Sequence, residues 1–155
     1  MVSTKQIKDL RAKTGVSVTE CRRALEASDG DEVMALEWLK AASAKTAEKK
    51  GFRALGAGTV ASYIHSNGTL GALIELRSET DFVSKNEDFR GFAGELAMQV
   101  AATGPVTVEE LLAQPFIKEP NQMVGDLIRS STQKFGERIE VGRFARFDAR
   151  GGLSL

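Results

Sequence analysis

The apolar residues of this chain first change period in the middle of its first half. Up to about residue 40 they recur at three- and four-residue intervals between helix start and stop signals, whereas from Thr59 onward they alternate around an Asn67-Gly68 pair. A period of 3.6 and a period of 2 cannot belong to one kind of element, so a helical piece must be followed by a piece that carries a sheet. The 155 residues leave room for one small module beside one core, and not for two full-sized domains. The expected division is a three-helix module over residues 1–40, a linker or helix over 41–56, and an α+β core over 57–155.

Within the first part, Ser3 with Gln6 makes a capping box, Ile7 and Leu10 form an apolar stripe, and Gly15 supplies a left-handed stop. Ser17 with Glu20 repeats the box ahead of an apolar face of Cys21, Ala24 and Leu25, and Ser28-Asp29-Gly30 turns the chain. Asp31 then caps a third helix, in which Val33, Met34, Leu36, Trp38 and Leu39 read mostly as core. A bundle this small is marginal alone, so the competing reading is an exposed apolar edge that docks a partner helix.

In the second part, Thr59–His65 and Leu70–Leu76 flank the turn, which places Tyr63 opposite Ala72 and His65 opposite Leu70. Ser84 with Glu87 predicts the start of a helix whose face carries Phe89, Phe92, Ala93, Leu96, Ala97 and Val100, stopped at Gly104-Pro105. A short helix from Thr107, a longer one from Met123 to Gly136, and a last strand with Ile139, Val141, Ala145 and Phe147 on one face complete the pattern. The expected fold is α+β: a three-helix module, then a three-stranded antiparallel sheet with helices packed on one face.

Charge is balanced, at 21 Lys plus Arg against 21 Asp plus Glu, but unevenly placed. Residues 40–53 hold five basic groups and one acidic, between flanking parts with net charges of −1 and −3. A basic middle of that kind fits a connector better than a nucleic-acid stripe. No apolar run approaches the roughly 20 residues a bilayer span needs, and the N-terminus lacks a hydrophobic signal core, so a cytoplasmic protein is expected. One cysteine, Cys21, and one histidine, His65, exclude an internal disulfide and a His/Cys zinc site.

No catalytic constellation is present: there is no phosphate-binding glycine loop, no nucleophile elbow and no histidine placed beside a serine or cysteine. Neither catalytic residues, nor a metal, nor a cofactor is therefore expected. The densest polar segment, Glu75 to Asp88, leaves a small metalloenzyme using Glu79 and Asp81 as a minor reading, against strand-end and helix-start carboxylates acting as caps. Its anomaly is Phe82 beside Asp81. An aromatic residue in a polar strand-to-helix joint must fold back into the core or project to fill a partner's pocket.

The run Glu79-Thr80-Asp81-Phe82-Val83-Ser84-Lys85-Asn86-Glu87-Asp88-Phe89 resembles the signature of the elongation factor Ts family, the bacterial and organellar nucleotide-exchange factors for elongation factor Tu. Leu10-Arg11-Ala12-Lys13-Thr14-Gly15 and Cys21-Arg22-Arg23-Ala24-Leu25 are similar to its N-terminal ubiquitin-associated-like module. Tyr63-Ile64-His65, Gln114-Pro115-Phe116 and Arg143-Phe144-Ala145-Arg146-Phe147 resemble later landmarks in the same order. The resemblance implies a partner, elongation factor Tu, met through Thr80, Asp81, Phe82 and Val83 near its magnesium and phosphate region, with the phenylalanine wedged between helices. It also implies that the N-terminal module, around Leu10, Thr14, Gly15 and Val16, grips the same nucleotide-binding domain elsewhere. Membrane and direct nucleic-acid contacts are not expected.

Four departures qualify the resemblance. Six residues separate Gly104 from Leu111, where family members usually carry a helical insertion or a second core subdomain. Arg77-Ser78 stands where Asn-Cys is common, Val16-Ser17-Val18-Thr19 replaces a small and Met-rich run, and Gly142 stands where arginine is common. A chain with one subdomain leaves a sheet face open, for which a second copy in a homodimer is the expected cover. The alternative function is an RNA- or ribosome-binding module built on the Lys40–Arg53 cations and the Arg143–Phe147 run.

Overall fold

The computed structural model describes residues 1–150, which divide into two compact units: Met1–Phe52 with Arg129–Gly136, and the remaining described residues. The first unit opens with α1 (Thr4–Thr14), α2 (Val18–Ala27) and α3 (Glu32–Lys50). Ser3 and Gln6 form the reciprocal box, Gly15 stops α1 at φ 70°, and Asp31 accepts from the Met34 amide to start α3. Ile7, Leu10, Val16, Cys21, Ala24, Leu25, Ala35 and Leu39 form its core.

One feature differs from the sequence reading. Val33, Met34 and Leu36 are exposed, because the buried stripe of α3 runs through Ala35, Leu39 and Ser43 at four-residue spacing and turns Val33 and Met34 away. Beyond residue 40, α3 continues unbroken to Lys50, within the segment read as a linker or helix. Its later turns meet residues 129–136: Ser43 Oγ donates to Gln133 Oε1, and Lys50 Nζ donates to the Gly136 carbonyl at 2.9 Å.

The second unit is an α+β layer. Strands β1 (Ala57–Ile64) and β2 (Leu70–Ser78) form the hairpin, and β5 (Glu140–Asp148) pairs antiparallel to β2, giving the order β1-β2-β5. Tyr63 does lie opposite Ala72, and the His65 amide donates to the Leu70 carbonyl. The turn itself is not the one expected. Only Gly68 has positive φ, the Gly68 amide donates to the His65 carbonyl, and Asn67 Oδ1 accepts from the Thr69 amide, which is a turn closed by one left-handed glycine.

Helix α5 (Glu87–Thr103) packs across the inner sheet face through Phe89, Ala93, Leu96, Ala97 and Val100 and stops at Gly104, φ 60°. Its cap is Asn86, whose Oδ1 accepts from the Asp88 and Phe89 amides, rather than Ser84. Ser84 ends a separate single turn, α4 (Asp81–Ser84). After α6 (Val108–Leu112), a small hairpin of β3 (Pro115–Phe116) and β4 (Glu119–Met123) appears that alternation did not signal, before α7 (Val124–Phe135). The buried Gln99 of α5 holds this hairpin: its Nε2 donates to the Pro115 carbonyl and to Gln114 Oε1, each at 3.1 Å, and its Oε1 accepts from the Ile117 amide at 2.9 Å.

The last strand also departs from simple alternation. Leu76 faces Val141 and Ile74 faces Phe144, so Gly142 and Arg143 together oppose Glu75 in a bulge. A Cβ on Gly142 would stand 2.2 Å from Glu75 Oε1, so the glycine makes room for that carboxylate. The extra residue puts Phe144 and Arg146 on the inner face with Val141 and sends Ala145 and Phe147 outward, the reverse of the expected arrangement. No helix among the described residues is long and apolar enough to cross a membrane.

Candidate partner-binding site

The candidate site is the joint where β2 gives way to α4. Ser78, fully buried, closes the strand and donates from Oγ to the Thr80 carbonyl at 3.0 Å. One helical turn follows, in which the Ser84 amide donates to the Thr80 carbonyl and the Lys85 amide to the Asp81 carbonyl. A four-residue turn has two sides here. Val83 and Ser84 point in, whereas Asp81 and Phe82 point out.

Phe82 is 87% exposed, and with Asp81, Lys85 and Asn86 it lines a shallow open hollow. Leaving a phenylalanine ring in water forgoes roughly 2 kcal/mol of burial free energy, which a core-facing rotamer or position would have recovered. Val83, by contrast, is 6% exposed. Of the four signature residues, Thr80, Asp81 and Phe82 are therefore available to a partner and Val83 is the anchor that seats the turn.

The joint is braced from the segment that leads into β5. Glu137 Oε1 accepts from the Glu79 amide at 3.1 Å and the Thr80 amide at 3.0 Å, and its Oε2 accepts from Thr80 Oγ1 at 2.6 Å. In return, the Arg138 amide donates to Glu79 Oε2 at 2.8 Å, and Arg53 faces the other Glu79 oxygen at 3.5 Å. Arg138 Nη1 donates to the Arg53 carbonyl. Sequence reading missed Glu137 altogether, because 57 residues separate it from Thr80 and no spacing rule links them. Glu79 is engaged by these partners instead of converging with Asp81, and no group of three or more His, Cys, Asp or Glu side chains among the described residues is placed to hold a metal.

In the helical unit, the four residues named from the sequence separate into two kinds. Leu10 and Val16 lie in the core: Leu10 belongs to the buried stripe of α1, and Val16 turns back inward directly after the left-handed Gly15. They are corrected here from contact residues to packing residues. Thr14 is half-buried, with Oγ1 donating to the Leu10 carbonyl, and Gly15 is exposed with the Lys134 side chain beside it. The large apolar side chains this unit exposes are instead Val18, Val33, Met34 and Leu36, together with Met1 and Phe52 at the two ends of its first segment.

The other motifs resolve simply. His65 is exposed and shares a 3.1 Å hydrogen bond between Nδ1 and the Tyr63 hydroxyl, as suits an imidazole beside a turn. The Arg143–Phe147 run does not present one basic, aromatic face: Arg146 Nε donates to the Ala101 carbonyl near the end of α5, Phe144 is half-buried, and Arg143 lies 3.5 Å from Glu75.

Comparison with known proteins bears on the same residues. The family model described as Elongation factor TS matches residues 79–154, beginning at the braced joint. Elongation factor Ts of Oleidesulfovibrio alaskensis is 36% identical, with 94% of this chain and 96% of that protein covered. That alignment runs over 191 positions against the 155 residues here, so the relative carries segments this chain lacks. Elongation factor Ts of Carboxydothermus hydrogenoformans is 33% identical over 99% of this chain and 92% of its own length. Elongation factor Ts of Trichlorobacter lovleyi is 38% identical over 97% of this chain, which spans only 49% of that longer protein. With its signature turn, its helical module and near-complete coverage of relatives at this identity, the chain belongs to the elongation factor Ts family of translation elongation factors.

Proposed function

We propose that this protein binds elongation factor Tu and speeds release of its GDP, acting by contact and without making or breaking covalent bonds. The observation that carries this reading is Phe82, fully presented on a single turn whose other side is anchored by Val83 and whose entry is braced by Glu137. A ring held out on so short and well-fixed a support can enter a partner with little ordering cost, because the turn is already held by Glu137 in the free chain. Beside it, the Asp81 carboxylate brings negative charge toward the magnesium and phosphate region. Magnesium requires near-ideal octahedral geometry, so a small displacement of its support loosens the nucleotide disproportionately.

Exchange is then negative coupling between two ligands of Tu. The coupling is reciprocal: GDP weakens the binding of this protein by the factor with which the protein weakens GDP, and a thousandfold effect corresponds to about 4 kcal/mol. The helical unit supplies a second contact, with Thr14, Gly15 and the exposed Val18, Val33 and Met34 as its available residues, and linkage of two contacts raises the effective concentration of each. The cytoplasm is the compartment we assign with this reading, and a second copy of the chain is the cover we assign to the outer sheet face.

The deciding experiment is the release rate of labelled GDP from purified Tu with and without the protein. Acceleration in substoichiometric amounts is expected. Unchanged release, together with RNA affinity that falls steeply with salt, would move the protein to the nucleic-acid class.

A further inference from the structure

Thr80 is the N-cap of α4, yet its hydroxyl makes no cap hydrogen bond to that helix. A threonine in that position ordinarily accepts from an amide of its own first turn. Here the hydroxyl is turned the other way and donates to Glu137 Oε2, while both neighbouring amides, of Glu79 and Thr80, donate to Oε1. One carboxylate thus holds three donors on two consecutive residues, immediately before Asp81 and Phe82. Glu137 is itself fixed, because the next residue's amide donates to Glu79 and the Arg138 guanidinium reaches the Arg53 carbonyl and Glu140.

We infer that Glu137 is the positioning residue of the exchange site: it sets the direction in which Phe82 leaves the sheet, and it acts through Phe82 without touching the partner. The inference rests on the exchange-factor reading above and extends it to a residue outside the signature. A hinge at 79–80 would let a four-residue helix swing with its ring. Three charge-assisted bonds to one rigid acceptor remove that freedom before binding.

Reach and charge can be separated by two substitutions that preserve polarity. Glu137→Gln keeps the length: its amide oxygen can accept from both backbone amides, and its NH2 can donate to a Thr80 hydroxyl that reverses role. Glu137→Asp keeps the charge but withdraws it by one methylene, beyond reach of all three donors at once. Positioning therefore requires the Asp variant to be the worse one. A direct electrostatic contact with the partner requires the opposite order.

The expected results are a roughly fivefold loss of stimulated GDP release in Glu137→Asp and recovery of most of that activity in Glu137→Gln. In the protein alone, hydrogen exchange at the Glu79 and Thr80 amides should quicken at least tenfold in Glu137→Asp and stay near the parent rate in Glu137→Gln. In a Phe82→Ala background, Glu137→Asp should cause no further loss, since there is no ring left to aim. Any of three results overturns the inference: Gln as poor as Asp or poorer, amide exchange unmoved in Asp, or a full fivefold loss persisting without the ring. Failure of the underlying reading looks different. In that case the parent protein does not accelerate release, or Phe82→Ala releases GDP at the parent rate whatever stands at 137.

Discussion

Two adjacent residues of α4 face opposite environments, and truncating each should have opposite consequences. Phe82→Ala removes a ring that makes no core contact, so the melting temperature should move by no more than a degree or two while stimulated GDP release falls tenfold or more, about 1.4 kcal/mol in the exchange barrier. Val83→Ala opens a small cavity under the turn and should cost on the order of 2 kcal/mol of stability. A large drop in melting temperature for Phe82→Ala, with normal exchange by the folded fraction, would place the ring in the core and end the wedge reading. Cys21 offers a further residue-scale test. It is buried, and burial pushes its thiol above the ordinary range near 8.5, with the Thr14 hydroxyl and Arg11 opposing in part. The folded state then holds the proton to higher pH than the unfolded chain. Its stabilising effect is complete below the unfolded thiol's value and is lost as pH rises through the folded one. Urea unfolding from pH 8 upward should decline less steeply in Cys21→Ala than in the parent, and the native thiol should react slowly with a thiol reagent; rapid labelling would contradict its burial.

At the scale of elements, Gln99 connects α5 to the β3–β4 hairpin through three hydrogen bonds from a fully buried amide. Gln99→Leu has a similar volume but leaves the Ile117 amide and the Pro115 carbonyl without this partner, at a cost of about 2–3 kcal/mol. Urea unfolding should register that loss, and the Ile117 amide should lose protection selectively; an unchanged midpoint would mean that water replaces the side chain. The same element shows where sequence legibility ends. Caps and stops read correctly when the residues that satisfy each other are three or four apart, as with Ser3 and Gln6, Asp31 and Met34, or Thr107 and Glu110. The β1–β2 register was legible too, since Asn67-Gly68 counts outward to Tyr63 and Ala72. What failed needed a third body. The bulge at Gly142–Arg143 depends on Glu75 across the sheet, the choice of Asn86 over Ser84 depends on α4 ending first, and the β3–β4 hairpin has no alternation because one buried glutamine organises it. In the site, Phe82 was conspicuous for being apolar among polar residues, whereas Glu137 looks like any surface glutamate until the chain closes.

For the whole molecule, the open question is what covers the outer face of the three-stranded sheet. The bulge in β5 decides its character. Ser62, Leu73 and Ala145 form one cross-strand row and Ile64, Gly71 and Phe147 the next, with Phe147 73% exposed, while Glu75, Arg77 and Arg143 occupy the other end. Such a face is apolar at one end and carries both signs of charge at the other, so an antiparallel twofold copy could lay apolar rows against one another with one self-complementary patch. Its size limits the strength. Three strands about 4.8 Å apart and eight residues long, at about 3.3 Å per residue, present roughly 400 Å², against about 800 Å² per partner in a stable complex. The expected homodimer is therefore weak, dissociating in the micromolar range or above, and dissociated at the low concentrations of an exchange assay. Sedimentation equilibrium from 5 to about 300 μM, on the order of the range that affinity class requires, should give a mass climbing from 16.7 kDa toward twice that value. Phe147→Asp places a charge at the apolar end of the face, on the edge strand β5, and should hold the mass at the monomer value throughout, with no change in GDP release, because Phe147 lies on the sheet face and not at the α4 joint. A parent protein that stays at 16.7 kDa across the whole range has no such dimer, and the exposed sheet face would then belong to the surface met by Tu.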